Sequence, residues 1–160
     1  MYRIGIGIDS HRIISYKAEK PLILAGVKFD EKFSLKANSD GDVVLHALFN
    51  AISSALGLYS ISRYADEMCK KGITDSREYV KVILQKMHEK GFSVENVAIA
   101  LECKRPKIEP KVEEMKAAIA KLCGISKERV AITATSGEQL SAFGKGEGIY
   151  CIASCLLKKE

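Results

Sequence analysis

Three residues in the first third of the chain have the types and spacing of a metal site. Asp9 and His11 lie two positions apart at the end of an alternating apolar run, so in an extended strand both side chains point to the same face. His46 follows Asp42 by one turn of a helical pattern. Two imidazoles, one carboxylate and an open fourth position form a common zinc site that binds substrate. These residues predict a site for Zn²⁺ or another divalent transition metal, which can polarise a phosphoryl oxygen.

A simpler interpretation of the same residues exists. An Asp-x-His pair is weak evidence of a metal site when it stands alone. His46 on a helix can be a hydrogen-bonded core histidine, and Asp42 can be the helix N-cap residue. The third histidine, His88, lies in a charged stretch and is expected on the surface. Spacing alone therefore leaves the choice between a metal site and a structural histidine open.

Apolar periodicity predicts the elements that position these side chains. Strands are predicted at 2–9, 94–101, 130–136 and 148–157, a hairpin or bent strand at 22–29, and helices at 42–56, 75–90 and 111–123. Residues 10–20 are predicted to form a loop, and residues 58–73, which lack periodicity, a mobile segment. We expect one α+β domain over residues 1–160, with helices on one face of a mixed sheet. Ile4, Ile6 and Ile8 share one strand face, so we expect the other sheet face to be buried in an oligomer.

Composition narrows the functional class. The 160 residues carry a net charge of +5 with Lys and Arg scattered, and there is no Trp, so we expect no nucleic-acid partner. No apolar run is long enough to span a membrane, and we expect a cytoplasmic protein with no membrane partner. The five cysteines form no CxxC pair and are expected to be reduced. Cys151 and Cys155 are expected to pack on one strand face.

Longer motifs around the three residues carry a resemblance to a known family. The segment Gly-Ile-Asp9-Ser-His11, followed by Ser39-Asp-Gly-Asp-Val-Val-Leu-His46, strongly resembles the 2-C-methyl-D-erythritol 2,4-cyclodiphosphate synthases. Segments 74–78, 91–97, 106–107, 134–138 and 144–148 agree with that family in order and spacing. The resemblance covers essentially the whole chain.

The resemblance implies two metals and a set of substrate contacts. It implies zinc on Asp9, His11 and His46, and Mg²⁺ or Mn²⁺ on Glu138, where it would bridge the diphosphate of the substrate. It also implies that Asn38 and Ser136 act on the reacting phosphates. The implied substrate contacts are Asp9, His11, Ser39, Ser60, Ser62, Asp66, Cys103, Lys104, Pro106, Lys107, Ile108, Glu109, Ala134, Thr135, Ser136 and Lys145.

The reaction implied by the resemblance is an intramolecular phosphoryl transfer. In 4-diphosphocytidyl-2-C-methyl-D-erythritol 2-phosphate, the 2-phosphate attacks the β-phosphorus and CMP leaves. The product is a cyclic diphosphate of the non-mevalonate isoprenoid pathway. Family members are homotrimers with active sites between subunits, so the resemblance also implies a homotrimer here.

Several positions depart from the family pattern and leave alternatives open. Asn38 stands where the family has His, and Ser60 and Ser62 stand where its ribose-holding Asp and Gly lie; Lys145 replaces an Arg. We favour a working synthase with altered nucleotide recognition, because Glu138 is kept. The alternative is a non-catalytic homologue that binds a diphosphate or isoprenoid ligand.

A third interpretation is a zinc phosphohydrolase that uses metal-bound water. Such an enzyme needs a general base near the zinc, and Asp40 or Asp42 would be the candidate. We expect instead that these two residues cap the helix and orient the His46 ring without binding the metal themselves.

Overall fold

The computed structural model describes residues 1–15 and 20–160, which form a mixed sheet with helices packed on one face. The strands are β1 (Tyr2–Ser15), β2 (Leu22–Leu24), β3 (Val27–Phe29), β4 (Phe33–Leu35), β5 (Phe92–Glu102), β6 (Val130–Thr135) and β7 (Gly148–Lys159). The helices are α1 (Val43–Ala55), α2 (Ser62–Lys70), α3 (Ser76–Glu89), α4 (Val112–Cys123) and α5 (Ala142–Lys145). Short 3₁₀ turns lie at Glu109–Lys111, Lys127–Arg129 and Gly137–Gln139.

The main sheet has five strands in the order β4-β1-β7-β5-β6, and β2 and β3 form a separate hairpin. Strands β5 and β6 are parallel, and α4 makes the crossover between them. The other pairs in the main sheet are antiparallel. The predicted α+β fold with helices on one face of a mixed sheet is therefore confirmed.

Helix α1 packs directly on β1 because two glycines remove the side chains between them. Gly5 and Gly7 are buried and face the helix, and a Cβ atom on either would overlap backbone atoms of α1, including the carbonyl oxygens of Ala51 and Ala47 respectively. The Ser54 hydroxyl donates to the carbonyl of Ile6 at 2.9 Å and accepts from its N–H at 3.0 Å. This close approach brings the first half of β1 against the middle of α1.

The opposite face of β1 is exposed and apolar. The exposed fractions of Ile4, Ile6 and Ile8 are 80%, 64% and 56%. No helix among the described elements packs there, and the outward side chains of β7, such as Ile152 and Leu156, are only half-buried. Cys151 and Cys155 point the other way and are buried in the core, as the sequence predicts.

Two loop predictions were wrong. Residues 10–15, predicted as loop, continue β1, because backbone pairing with β7 extends to Arg12 and pairing with β4 covers Ile13 to Ser15. Residues 16–19 lie outside the described residues. The segment 58–73, predicted to lack regular structure, contains helix α2, in which only Ala65 is fully buried; its predicted mobility stays a prediction. Strand β4 was not predicted, because three residues give no periodicity.

No helix in the described part of the chain is both long and apolar enough to cross a bilayer.

Replacing Gly7 with alanine tests the contact between α1 and β1. The new methyl group would meet helix backbone, which cannot rotate away, so we expect a loss of about 3 kcal/mol in the free energy of unfolding. Gly91→Ala is the control, because a Cβ there meets no atom within 4 Å and only the positive φ of 72° opposes it, at a cost of about 1 kcal/mol. Urea denaturation measures both. Equal losses in the two variants would contradict the packing argument.

Candidate metal centre and substrate cavity

The carboxylate of Asp9 and the imidazoles of His11 and His46 converge on one point. Asp9 Oδ2 lies 3.0 Å from His11 Nε2 and 3.2 Å from His46 Nδ1, and the two nitrogens are 3.2 Å apart. Asp9 and His11 come from the inward face of β1, and His46 comes from the face of α1 that packs on it. The close approach at Gly5 and Gly7 therefore builds the cluster, and the predicted grouping is confirmed.

The chemistry and spacing of these atoms fit a divalent metal. Asp9 Oδ2 is buried and has no hydrogen-bond partner, which is costly unless a cation completes its surroundings. A tetrahedral zinc ion with bonds of about 2.1 Å holds its ligand atoms about 3.4 Å apart, close to the separations found here. Burial alone would raise the pKa of Asp9, but the hydrogen bonds and positive charge that His11 and His46 offer when they are protonated outweigh burial and lower it below its ordinary value. The carboxylate is therefore ionised at neutral pH, as a ligand must be.

The other side of the His46 ring is hydrogen-bonded within the protein. His46 Nε2 lies 2.7 Å from Ser76 Oγ at the start of α3, and Ser76 in turn donates to Asp40. Ser39 Oγ is a more distant neighbour of Nε2, at 3.4 Å. His46 is thus both a hydrogen-bonded core histidine and a member of the cluster. Sequence reasoning missed Ser76, because nothing in the sequence links it to His46.

Asp42 caps α1 and also fastens the β2–β3 hairpin. Its carboxylate accepts from the backbone N–H groups of Leu45, Ala25 and Gly26 at 3.0, 2.8 and 2.6 Å. The capping prediction is confirmed, but these bonds leave the Asp42 side chain facing backbone rather than the His46 ring. Of the two aspartates expected to orient His46, only Asp40 is linked to it, through Ser76.

The stability of the fold is expected to depend on pH through Asp42. Complete burial raises its pKa to about 6, with Asp40 contributing. The folded chain therefore keeps a proton that the unfolded chain loses near pH 4, so stability falls as the pH rises from 4 to 6. Given a reference pKa of 3.8, we expect this group alone to lower the free energy of unfolding by about 2 kcal/mol across that range. Asp42→Asn should remove this slope in metal-free protein unfolded with urea; an unchanged slope would assign it to other groups.

A cavity of about 620 Å³ opens beside the cluster. Seven of the predicted site residues line it: Asp9, His11, Asn38, Ser39, His46, Ser62 and Asp66. Six further lining residues were not predicted: Lys36, Ala37, Ile61, Ala65, Cys69 and Tyr79. Half of these six lie in or beside α2, the helix that was not predicted. Ser60 instead lines a neighbouring cavity of about 270 Å³ with Ile6 and Ile8.

The remaining predicted site residues form a second group at the far edge of the sheet. The backbone N–H of Cys103 donates to Thr135 O at 3.1 Å, and that of Lys104 donates to Phe143 O at 3.2 Å. These bonds join three loops that hold Cys103, Lys104, Pro106, Lys107, Ile108, Glu109, Ala134, Thr135, Ser136, Glu138 and Lys145. Glu138 is exposed and has a left-handed backbone, with φ of 48°.

The two groups are separated by the width of the sheet. Asp9 pairs with Cys151, Cys151 with Leu101, and Leu101 with Ala134, so one straight row crosses four strands. Three strand spacings correspond to about 14 Å between Asp9 and Ala134. Within one chain, the structure therefore does not bring Glu138 to the cluster of Asp9, His11 and His46.

Comparison with known proteins gives a consistent result along the whole chain. The model of the YgbB family matches residues 2–158. A protein of Chlamydia felis named 2-C-methyl-D-erythritol 2,4-cyclodiphosphate synthase is 46% identical over 158 residues, covering 98% of this chain and 88% of that protein. A protein of the same name from Chlamydia trachomatis serovar L2b is 43% identical, covering 98% and 87%.

Solved structures share the fold at full length. The bifunctional IspDF of Campylobacter jejuni superposes with a TM-score of 0.92 at 34% identity, covering 100% of this chain. This chain corresponds to 43% of that longer protein. The IspF of Plasmodium falciparum, solved as a CDP complex, gives a TM-score of 0.87 at 26% identity and covers 99% of this chain and 97% of that one.

Proposed function

This chain belongs to the YgbB family, and from that premise we propose that it is a 2-C-methyl-D-erythritol 2,4-cyclodiphosphate synthase. The proposed reaction converts 4-diphosphocytidyl-2-C-methyl-D-erythritol 2-phosphate to the 2,4-cyclodiphosphate and CMP. The observation that carries the proposal is the cluster of Asp9, His11 and His46, with an unpartnered carboxylate oxygen, at the wall of a large cavity. The CDP complex of the Plasmodium falciparum structure supports a cytidine diphosphate-linked substrate.

The reaction needs no side-chain nucleophile, because the substrate carries its own. One oxygen of the 2-phosphate forms a bond to the β-phosphorus, and the bond from that phosphorus to the oxygen bridging the α-phosphate breaks. The bridging oxygen leaves on CMP with the electron pair. The chain must therefore hold the substrate folded, with attacking and leaving oxygens in line, which is a large positional effect.

Residues of the cavity are suited to that positioning. Asp9, His11 and His46 would hold Zn²⁺ or another divalent metal, which offsets the negative charge of the phosphates when bound. Asn38 and Ser39 lie on the loop beside the cluster and can donate hydrogen bonds to phosphate oxygens. Lys20 fixes this loop by donating to the carbonyls of Ala37 and Ser39 at 2.8 and 2.7 Å.

The second group supplies donors and a second metal ligand. Thr135 and Ser136 would contact the phosphates, with the Ser136 hydroxyl donating to charge that develops in the transition state. Lys107 and Lys145 are exposed cations that can approach an anionic substrate. Glu138 would hold Mg²⁺ or Mn²⁺ against the diphosphate, because carboxylate oxygens suit these ions.

We propose that each active site is shared between two chains of a homotrimer. Residues that act together on one diphosphate must meet around it, whereas the two groups of residues lie about 14 Å apart across one sheet. A neighbouring chain can supply the second group, since it lies on an exposed edge. The exposed face of Ile4, Ile6 and Ile8 is a surface that such an assembly can bury.

The altered nucleotide positions are compatible with turnover. Ser60 and Ser62 are exposed, and their hydroxyl oxygens lie 3.3 Å apart. These two hydroxyls can form hydrogen bonds with a ribose in place of a carboxylate. Their change affects recognition of the leaving group rather than the metal cluster. We also propose that residues 1–160 are one domain and that the protein acts in the cytoplasm, where its five free cysteines stay reduced.

Phosphorus NMR of the purified protein with zinc, magnesium and substrate tests the proposed function. The expected result is the cyclic diphosphate with one equivalent of CMP. Release of CMP with a linear bisphosphate would indicate the phosphohydrolase instead. Intact substrate, with zinc present at about one ion per chain, would favour the non-catalytic binding homologue.

A further inference from the structure

A chain of hydrogen bonds lies behind His46, on the side of the ring that faces away from Asp9. His46 Nε2 is 2.7 Å from Ser76 Oγ, and Ser76 Oγ donates to Asp40 Oδ1 at 2.5 Å. The Asp40 carboxylate is fixed in turn by two backbone donors, the N–H of Ser76 at 2.9 Å and that of Asp42 at 3.0 Å. The fold therefore aligns three side chains from separate segments: His46 from α1, Ser76 from α3 and Asp40 from the loop before α1.

The direction of each hydrogen bond in this chain follows from the Asp40 side chain at its end. Both oxygens of the Asp40 side chain accept from backbone N–H groups, so this side chain is the acceptor here too and the single hydroxyl hydrogen of Ser76 points to it. The Ser76 oxygen then offers only lone pairs to His46, and His46 must donate to it from Nε2. In a neutral imidazole with a proton on Nε2, Nδ1 carries a lone pair. That lone pair faces Asp9 Oδ2 and His11 Nε2.

We propose that Ser76, held by Asp40, is a positioning residue that fixes His46 in the Nε2–H tautomer and so prepares Nδ1 to bind the metal. This inference rests on the metal site of the proposed function and adds the group that sets its third ligand. Without Ser76, the opposite tautomer gains stability, because an Nδ1–H would donate to Asp9 Oδ2 at 3.2 Å. That proton would occupy the position of the metal.

The surroundings of Ser76 support a dedicated role. Ser76 is fully buried, and His46 is 7% exposed, so water does not replace this bond. Ser76 does not cap its own helix, since Asp75 does so by accepting from Arg77 N at 2.9 Å. The only described bonds of the Ser76 hydroxyl are those to His46 and Asp40.

Zinc affinity and the His46 tautomer test this inference together. Ser76→Ala should weaken zinc binding about 10- to 100-fold, measured by competition with a chromophoric chelator. Ser76→Thr keeps the hydroxyl and should restore most of the affinity. Ser39→Ala is the matched control: it removes the more distant hydroxyl, 3.4 Å from Nε2, and should cost less than Ser76→Ala.

Nitrogen NMR of metal-free protein at pH 8 reads the tautomer directly, and the chain has only three histidines to assign. We expect the wild-type His46 proton on Nε2 and a shift toward Nδ1 in Ser76→Ala. A wild-type proton on Nδ1, or equal zinc affinity in wild type and a folded Ser76→Ala variant, would overturn the inference while leaving the metal site intact. A wild-type chain that binds no zinc would instead overturn the metal site, and this inference with it.

Discussion

Replacing His46 with alanine is expected to remove zinc from the protein and abolish turnover while the fold persists. His46 supplies one of three ligand atoms that lie within 4.8 Å of one another, and two remaining ligands hold zinc poorly. Loss of a metal that stabilises several kcal/mol of transition-state charge should lower turnover at least about a thousand-fold. Zinc content by atomic absorption, steady-state CMP release and far-ultraviolet circular dichroism measure the three effects.

His88→Ala is the matched control for this variant. His88 is exposed and lies at the opposite end of α3 from Ser76, the residue that contacts His46. Its loss should therefore change neither zinc content nor turnover. Full activity of His46→Ala with a native spectrum would exclude the assigned ligands. Loss of zinc with full turnover would separate the metal from the chemistry.

Two inactive variants are expected to restore activity when their chains are mixed within one trimer. His46→Ala removes the first group of site residues, and Glu138→Gln should spare zinc but remove the ligand for Mg²⁺ or Mn²⁺. If each site takes one group from each of two neighbouring chains, every mixed trimer contains one intact site of its three. Random assembly from equal amounts makes three quarters of the trimers mixed, so we expect about a quarter of wild-type turnover.

The mixing experiment requires the chains to be unfolded and refolded together, with each variant refolded alone as the control. Recovery of activity that depends on joint refolding supports sites between subunits. No recovery, from mixtures shown by mass spectrometry to contain hybrid trimers, would mean that one chain supplies both groups. A monomeric mass for the wild-type protein in light scattering would contradict the trimer itself.

The parts of the fold that were predictable are those in which local pattern and packing agree. Helix α1 has an N-cap aspartate, apolar residues at helical spacing and Gly57 after its end, and it forms as expected. The period of two in β1 placed Asp9 and His11 on one face, and the structure confirms it. The metal cluster was predictable because the motifs around its residues are long and specific. The spacing of the three residues alone was not specific enough to predict it.

The parts that were not predictable depend on contacts between distant segments. Helix α2 spans only nine residues and buries only Ala65 fully, so its stripe of Tyr64, Ala65, Met68 and Cys69 at helical spacing is short and weakly apolar. Asn50, from α1, stabilises its start by accepting from Ile61 N at 2.9 Å. Ser76 lies 30 residues from His46, and only the packing of α3 on α1 brings them together. The 14 Å between the two groups of site residues follows from strand order, which the sequence pattern does not specify.

The most direct test of the account is turnover of the zinc- and magnesium-loaded protein in water enriched in oxygen-18. Because the substrate supplies its own nucleophile, we expect CMP and the cyclic diphosphate in equal amounts, both without the heavy isotope by mass spectrometry. One oxygen-18 atom in a phosphate product would show that water attacks, and the proposed cyclisation would then be wrong.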